Sequence, residues 1–163
     1  MYKVGDKVMH RREGACYITQ TTDMKMEDVQ REYFVLSPIL AKESNIYVSV
    51  DCQKQKSIRP VINREELQEF EKSMHFLNSE WIVDAKVRYR QFMNGISTFD
   101  FQEILDIYKC LIRQKEIQTL AAKDKEFLFT VEKLIGSEIA ILLELSYDRV
   151  LEKMKEDVLS GMA

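Results

Sequence analysis

The side chains that most often do chemistry are few here and widely spaced. Three cysteines (Cys16, Cys52 and Cys110) and two histidines (His10 and His75) are the whole supply of soft metal ligands and ready nucleophiles. No CxxC pair occurs, so zinc-site spacing is missing, and neither a metal nor another cofactor is expected. No GxSxG elbow, phosphate-binding glycine loop or HExxH pair is present. Glu65, Glu66, Glu69 and Glu71 are dense, but at helical spacing they read as a solvated face rather than as an acid–base pair. The chain therefore reads as a non-enzyme. What remains is chemistry of contact. Lys86, Arg88 and Arg90 form a short basic patch close behind Trp81, the only tryptophan. Such a patch is either a solvated face, its field weakened by Asp84, or a set of phosphate contacts. Trp81 itself is either core, the usual place for this residue, or partly exposed, as its polar neighbours Asn78-Ser79-Glu80 favour. Lys123 and Lys125 stand near an expected helix start, where free N–H groups can also receive a phosphate.

Charge limits what these cations can do alone. Residues 1–60 carry 10 Lys/Arg against 8 Asp/Glu, and residues 61–163 carry 14 against 19, for a net charge of -3. A protein that holds DNA by neutralising phosphates needs a basic surplus. Here any DNA contact must be local, weak by itself, or delivered by a partner. No apolar run reaches the roughly 18 residues of a membrane helix, and Met1 to Asp6 already reads as strand and turn rather than as a leader. With an odd cysteine count and no disulfide pattern, the expectation is a reduced, cytoplasmic protein without membrane contact.

The elements that must carry these residues change character at Pro60. Strands are expected near residues 7–9, 15–19, 32–36, 45–50 and 57–59, rich in β-branched and aromatic side chains, with longer loops at 21–31 and 37–44. A sheet this small hides its apolar face best by curling into a barrel. From Asn63 the apolar period becomes helical. Asn63 and Glu66 form a capping box. A second helix is expected from Asn78-Ser79-Glu80 to about Met93, stopped by Asn94-Gly95. A third opens at Ser97-Thr98 and runs to about 114, with Phe101, Ile104, Leu105, Tyr108, Leu111 and Ile112 as its stripe. A long helix spans about 119–145 and a charged one about 147–159. The fold class is thus α+β, a small β-barrel followed by an all-α bundle, with domains at 1–60 and 61–163. The edges of the barrel offer unpaired backbone groups for strand addition. Residues 32–36 and 45–50 are the candidates, with Tyr33, Val35, Tyr47, Val48 and Ser49 as contacts and Tyr47 as an aromatic anchor. Cys16, Cys110 and Glu138 read as structural, the last through a hydrogen bond or ion pair. The oligomeric state stays open.

Val4-Gly5-Asp6-Lys7-Val8-Met9, Glu13-Gly14, Tyr33-Phe34-Val35-Leu36, Val48 and Ile58-Arg59, in this order, resemble the N-terminal module of CarD/CdnL transcription regulators, a module shared with the transcription-repair coupling factor. Arg88-Tyr89-Arg90 near Trp81, the helix start at 120–125, and Leu134-Ile135-Gly136-Ser137-Glu138-Ile139-Ala140 resemble the CarD C-terminal domain. The resemblance implies a bacterial non-catalytic regulator. Its N-terminal domain would be an SH3/Tudor-like β-barrel and would bind the RNA polymerase β subunit. Its helical domain would contact promoter DNA at the upstream edge of the melted bubble, with Trp81 as a wedge and Lys86, Arg88, Arg90, Lys123 and Lys125 on phosphates. The chain departs from the family pattern in five places. Met24 and Tyr47 stand about where family members often carry arginines. His10-Arg11-Arg12-Glu13 replaces Pro-His-His-Gly or a similar run. Trp81 lies about one helical turn further from Arg88-Tyr89. Ala121 replaces a capping serine. Val48-Ser49 replaces a Val-Pro pair. A second reading is an adaptor whose barrel docks a protein and whose helices never touch DNA.

Overall fold

A computed structural model describes residues 1–51, 57–77 and 80–160. Five strands come first: β1 (Lys7–His10), β2 (Gly14–Met26), β3 (Val29–Pro38), β4 (Ile46–Ser49) and β5 (Ile58–Pro60). Five helices follow: α1 (Arg64–Lys72), α2 (Ala85–Ser97), α3 (Phe101–Ile117), α4 (Ala122–Leu143) and α5 (Tyr147–Leu159). The class is α+β, as expected. The strands form one antiparallel sheet in the order β4-β3-β2-β1-β5.

Period-two alternation sends neighbouring residues of β1 and β2 to opposite faces. Val8 and Cys16 join Ile18, Phe34, Leu36, Val48 and Ile58 in a cluster drawn from all five strands. Met9 and Ala15, one residue along in each strand, join the core of the helices instead. The sheet is therefore buried on both sides at β1 and β2, and α4 covers the second face. Gly14 makes the close approach possible. Its φ is +78°, and a Cβ there would lie 2.5 Å from the Ser137 hydroxyl and 3.3 Å from the Lys133 carbonyl oxygen.

The stretch expected as a loop at residues 21–31 is strand. β2 and β3 stay in register from Thr21↔Phe34 out to Met26↔Val29, and Glu27 and Asp28, at φ 49° and 63°, make a two-residue turn. Such a turn normally advertises itself with Asn-Gly or Asp-Gly, and the absence of glycine hid it. A bulge between Ile18 and Gln20 shifts the register.

Helix starts follow side-chain caps. Asn63 and Glu66 exchange reciprocal bonds of 2.8 Å, the expected capping box. Asp84 accepts from the Val87 N–H at 3.1 Å and starts α2, so the helix expected from Asn78-Ser79-Glu80 begins later; Asn78 and Ser79 lie outside the described residues. Asn94-Gly95 does not stop α2, which continues to Ser97. Gly95 instead lets α2 approach α3, since a Cβ there would meet the Ile107 Cδ1 at 2.7 Å. Asp100, not Ser97-Thr98, caps α3. α4 follows Ala121, which offers no side-chain cap, and is closed by Glu144 in the left-handed region.

Candidate nucleic-acid interface

Three elements meet around Arg88. It sits in the first turns of α2, and only 5% of its surface is exposed. Its Nε and Nη2 donate to the two carboxylate oxygens of Asp124 at 2.9 and 2.8 Å, a bidentate pair between α2 and the first turn of α4. Its Nη1 donates to the carbonyls of Ile82 and Val83 at 2.8 and 3.2 Å, which ties down the chain that leads from Trp81 into the helix. Asp124 is itself buried, and its hydrogen bonding raises the Arg88 pKa, so the guanidinium stays charged. The pair satisfies both charges where water cannot, which is the condition for burying them at all.

This guanidinium lies over the indole. The Arg88 Cζ lies 4.4 Å from the Trp81 ring centre and 5.0 Å from that of Tyr89. Trp81 meets Phe92 edge-on at 6.4 Å, Phe92 meets Phe127 at 5.4 Å, and Tyr89 meets Phe127 at 5.7 Å. Trp81 is half-buried and packs on the helical core while keeping part of its surface in solvent. It is neither a wholly buried core residue nor a free one. Lys86 and Arg90, one turn apart on α2, are exposed, and so are Lys123 and Lys125 on either side of Asp124. Lys123 pairs with Glu126 at 3.1 Å and lies over the Phe127 ring.

Arg88 therefore stands apart from the exposed cations of the basic patch. Its donors are committed to Asp124 and to two carbonyls, so it has little left for a phosphate, and it supports Trp81 from beneath. Asp124 was missed. Nothing in the spacing links residues 88 and 124; the available signal was an acidic residue in the first turn of a helix whose cap position, Ala121, has no side-chain acceptor.

The sheet supplies a second surface. β4 is an edge strand: among the described residues no strand pairs with its outer side. The Val50 N–H donates to the Glu32 carbonyl at 3.0 Å, and Tyr33↔Ser49 and Val35↔Tyr47 are opposed pairs. Alternation then turns the N–H and C=O groups of Tyr47 and Ser49 away from β3. The Tyr47 side chain is exposed and that of Tyr33 half-buried, whereas those of Val35, Val48 and Ser49 are buried and can offer a partner little beyond backbone. β3 lies between β2 and β4, so its residues 33–36 are not an edge, contrary to expectation.

The two surfaces are joined through Glu138, which is fully buried in α4. It accepts from Arg59 Nη1 and Nη2 at 2.6 and 2.7 Å and from the Ile62 N–H at 2.9 Å. Arg59 Nε donates to the Phe99 carbonyl at 2.6 Å, and both Arg59 and Arg11 stack on the Phe99 ring, at 4.7 and 4.8 Å. The Ala15 N–H donates to the Ser137 hydroxyl at 3.0 Å. The structural role expected for Glu138 is thus an ion pair between sheet and helices. Among the described residues no group of three or more His, Cys, Asp or Glu could hold a metal ion, and no helix is long and apolar enough to cross a membrane.

Comparison with known families and proteins gives a consistent picture. Residues 2–62 match the CarD-like/TRCF RID domain, and residues 67–155 match the CarD C-terminal domain. The chain is also similar to a Bacillus subtilis (strain 168) protein named "Putative transcription factor YdeB". The two are 24% identical over 144 residues, which is 87% of this chain and 92% of that protein.

Proposed function

From the premise that this chain belongs to the CarD family, and so to a family of transcription regulators, we propose that it binds the RNA polymerase β subunit through its sheet and steadies the open promoter through its helices. In this reading residues 1–60 are the docking part and residues 61–163 the part that meets DNA. The observation that carries it is the half-buried Trp81, backed by a guanidinium whose charge is already satisfied, with the exposed cations Lys86, Arg90, Lys123 and Lys125 on the two helices that this guanidinium joins. An indole held with part of its surface in solvent can stack where duplex gives way to melted strands. Such a contact contributes about 1–3 kcal/mol. Each 1.4 kcal/mol is about a tenfold change in an equilibrium. The four cations are too few, against the acidic balance of the helices, to find DNA unaided. Docking on polymerase removes that demand by raising the local concentration of the helical part.

The docking edge is β4. A partner strand would pair with the outward groups of Tyr47 and Ser49, with the Tyr47 ring as anchor. Pairing along this edge does not require cations, which suits a sheet with a near-neutral balance.

The test is open-complex lifetime on a promoter with purified polymerase and the full chain. Trp81→Ala is expected to fold normally and to shorten that lifetime about tenfold, as loss of one stacking contact requires. Tyr47→Pro removes the aromatic anchor together with an outward N–H, a loss that an edge strand tolerates, and is expected to abolish binding to the β subunit while leaving the sheet folded. The second reading, an adaptor whose helices meet only protein, draws on the acidic balance of residues 61–163. Equal lifetimes with Trp81→Ala and the unaltered chain, both polymerase-bound, would establish that reading instead.

A further inference from the structure

Aromatic residues at a DNA fork must be held before DNA arrives, or the ordering of the ring cancels much of what stacking contributes. A tryptophan set in the irregular stretch before a helix has two side-chain torsions and a backbone to hold. In this protein residues 80–84 form no helix or strand, and α2 starts only at Ala85. Something outside that stretch has to fix Trp81.

We propose that Asp124 is a positioning residue: through its bidentate pair with Arg88 it fixes the guanidinium as a platform that holds the Trp81 indole in one orientation, ready for DNA. The inference rests on the reading of Trp81 as the DNA-facing aromatic and deepens it. Four observations converge. The Arg88–Asp124 pair spans α2 and α4, so the platform takes its position from the longest helix and not from the local chain. Both Nε and Nη2 are engaged by one carboxylate, which sets the plane of the guanidinium and not only its place. The remaining terminal nitrogen grips the carbonyls of Ile82 and Val83, so the same cation restrains the backbone directly after Trp81. The indole lies 4.4 Å from the guanidinium carbon, within stacking reach.

Lysine cannot perform this task. Its ammonium is a point charge without a plane and with three donors, so it can neutralise Asp124 but can neither stack flat on the indole nor make at once the four hydrogen bonds that Arg88 makes to Asp124, Ile82 and Val83. A purely structural ion pair would tolerate a charge-preserving or a paired apolar replacement with no effect on Trp81. A positioning pair would not.

Because Trp81 is the only tryptophan, its fluorescence reports on the platform without labels. The informative variant is Arg88→Met with Asp124→Leu, which removes both buried charges together and leaves neither unpaired. In the full chain it is expected to retain the helical circular dichroism of the unaltered protein, to lower Trp81 anisotropy, and to raise acrylamide quenching at least twofold. In the polymerase–promoter assay it is expected to shorten open-complex lifetime as much as Trp81→Ala does, about tenfold, and to add nothing further in the Trp81→Ala background. Arg88→Lys is expected to give the same loosened indole. Unchanged anisotropy and quenching in the folded double variant overturns the proposal. Should that variant fail to fold, Asp124→Asn, which keeps the shape and one acceptor, serves in the same measurement, and an unmoved indole overturns the proposal there too. A loosened indole together with an undiminished lifetime for Trp81→Ala would support the positioning and overturn the fork reading, so the two failures are distinguishable.

Discussion

Two buried arginine–carboxylate pairs invite comparison. Arg59–Glu138 and Arg88–Asp124 are both bidentate, both join segments far apart in sequence, and both place the guanidinium carbon over an aromatic ring. They differ in what that ring is. Phe99 under Arg59 is buried, with Arg11 stacked on it as well, and the assembly closes the seam between sheet and helices. Trp81 on Arg88 is half-buried and faces solvent with the rest of its surface. The same charge chemistry therefore serves as a joint in one place and as a platform in the other, and the deciding factor is whether the aromatic partner is enclosed.

The comparison can be tested by breaking each pair in turn. The largest effect is expected at the joint. Arg59→Met leaves the fully buried Glu138 carboxylate with one backbone N–H for company, and about 3–5 kcal/mol of stability should be lost in urea unfolding. A loss under about 1 kcal/mol would mean that the seam relaxes, and would remove the distinction between joint and platform. Arg88→Met is expected to cost less, about 2–3 kcal/mol, because the stranded Asp124 lies in the first turn of α4, where free amides favour negative charge. Equal costs at the two sites would show that this helix-end compensation is absent.

The smallest effect is expected from the thiols, and it sharpens the contrast by reporting each region separately. Burial pushes Cys16, in the sheet cluster, up to about 12 and Cys110, in α3, up to about 11. Neither should react with iodoacetamide at pH 8 in the folded protein, as read by peptide mass spectrometry. Prompt labelling of one of them would identify the region that opens first. The linkage has a definite sign. A thiol held protonated in the fold stabilises the protein fully below the ordinary thiol value of 9.0, and that contribution is lost as pH rises through it toward the folded values.

Much of this architecture was legible residue by residue. The Asn63–Glu66 box lies in four consecutive residues and formed as read. The stripe through Ile104, Leu105, Tyr108, Leu111 and Ile112 is buried along α3. The start of α2 was less legible: a helix was expected from Asn78-Ser79-Glu80, and α2 begins at Ala85 behind its cap Asp84. The ribbon at residues 21–31 was hidden because Glu27 and Asp28 hold positive φ without the glycine that usually marks such a turn. Of the cations singled out, Lys86, Arg90, Lys123 and Lys125 are exposed and Arg88 is buried, a difference the pattern could not show, because a cation at helical spacing looks the same whether it meets water or a carboxylate from another helix.

By itself the sequence determined what depends on neighbours within a turn or a strand: the switch from period two to period 3.6 near Pro60, the caps, and the apolar stripes that bury themselves. Only the tertiary structure decided which charges pair. Arg59 with Glu138 and Arg88 with Asp124 are 79 and 36 residues apart. Such partners are chosen by where packing brings two helices or a strand and a helix together, and a buried charge accepts whichever opposite charge that packing delivers. Local periodicity carries no record of that choice.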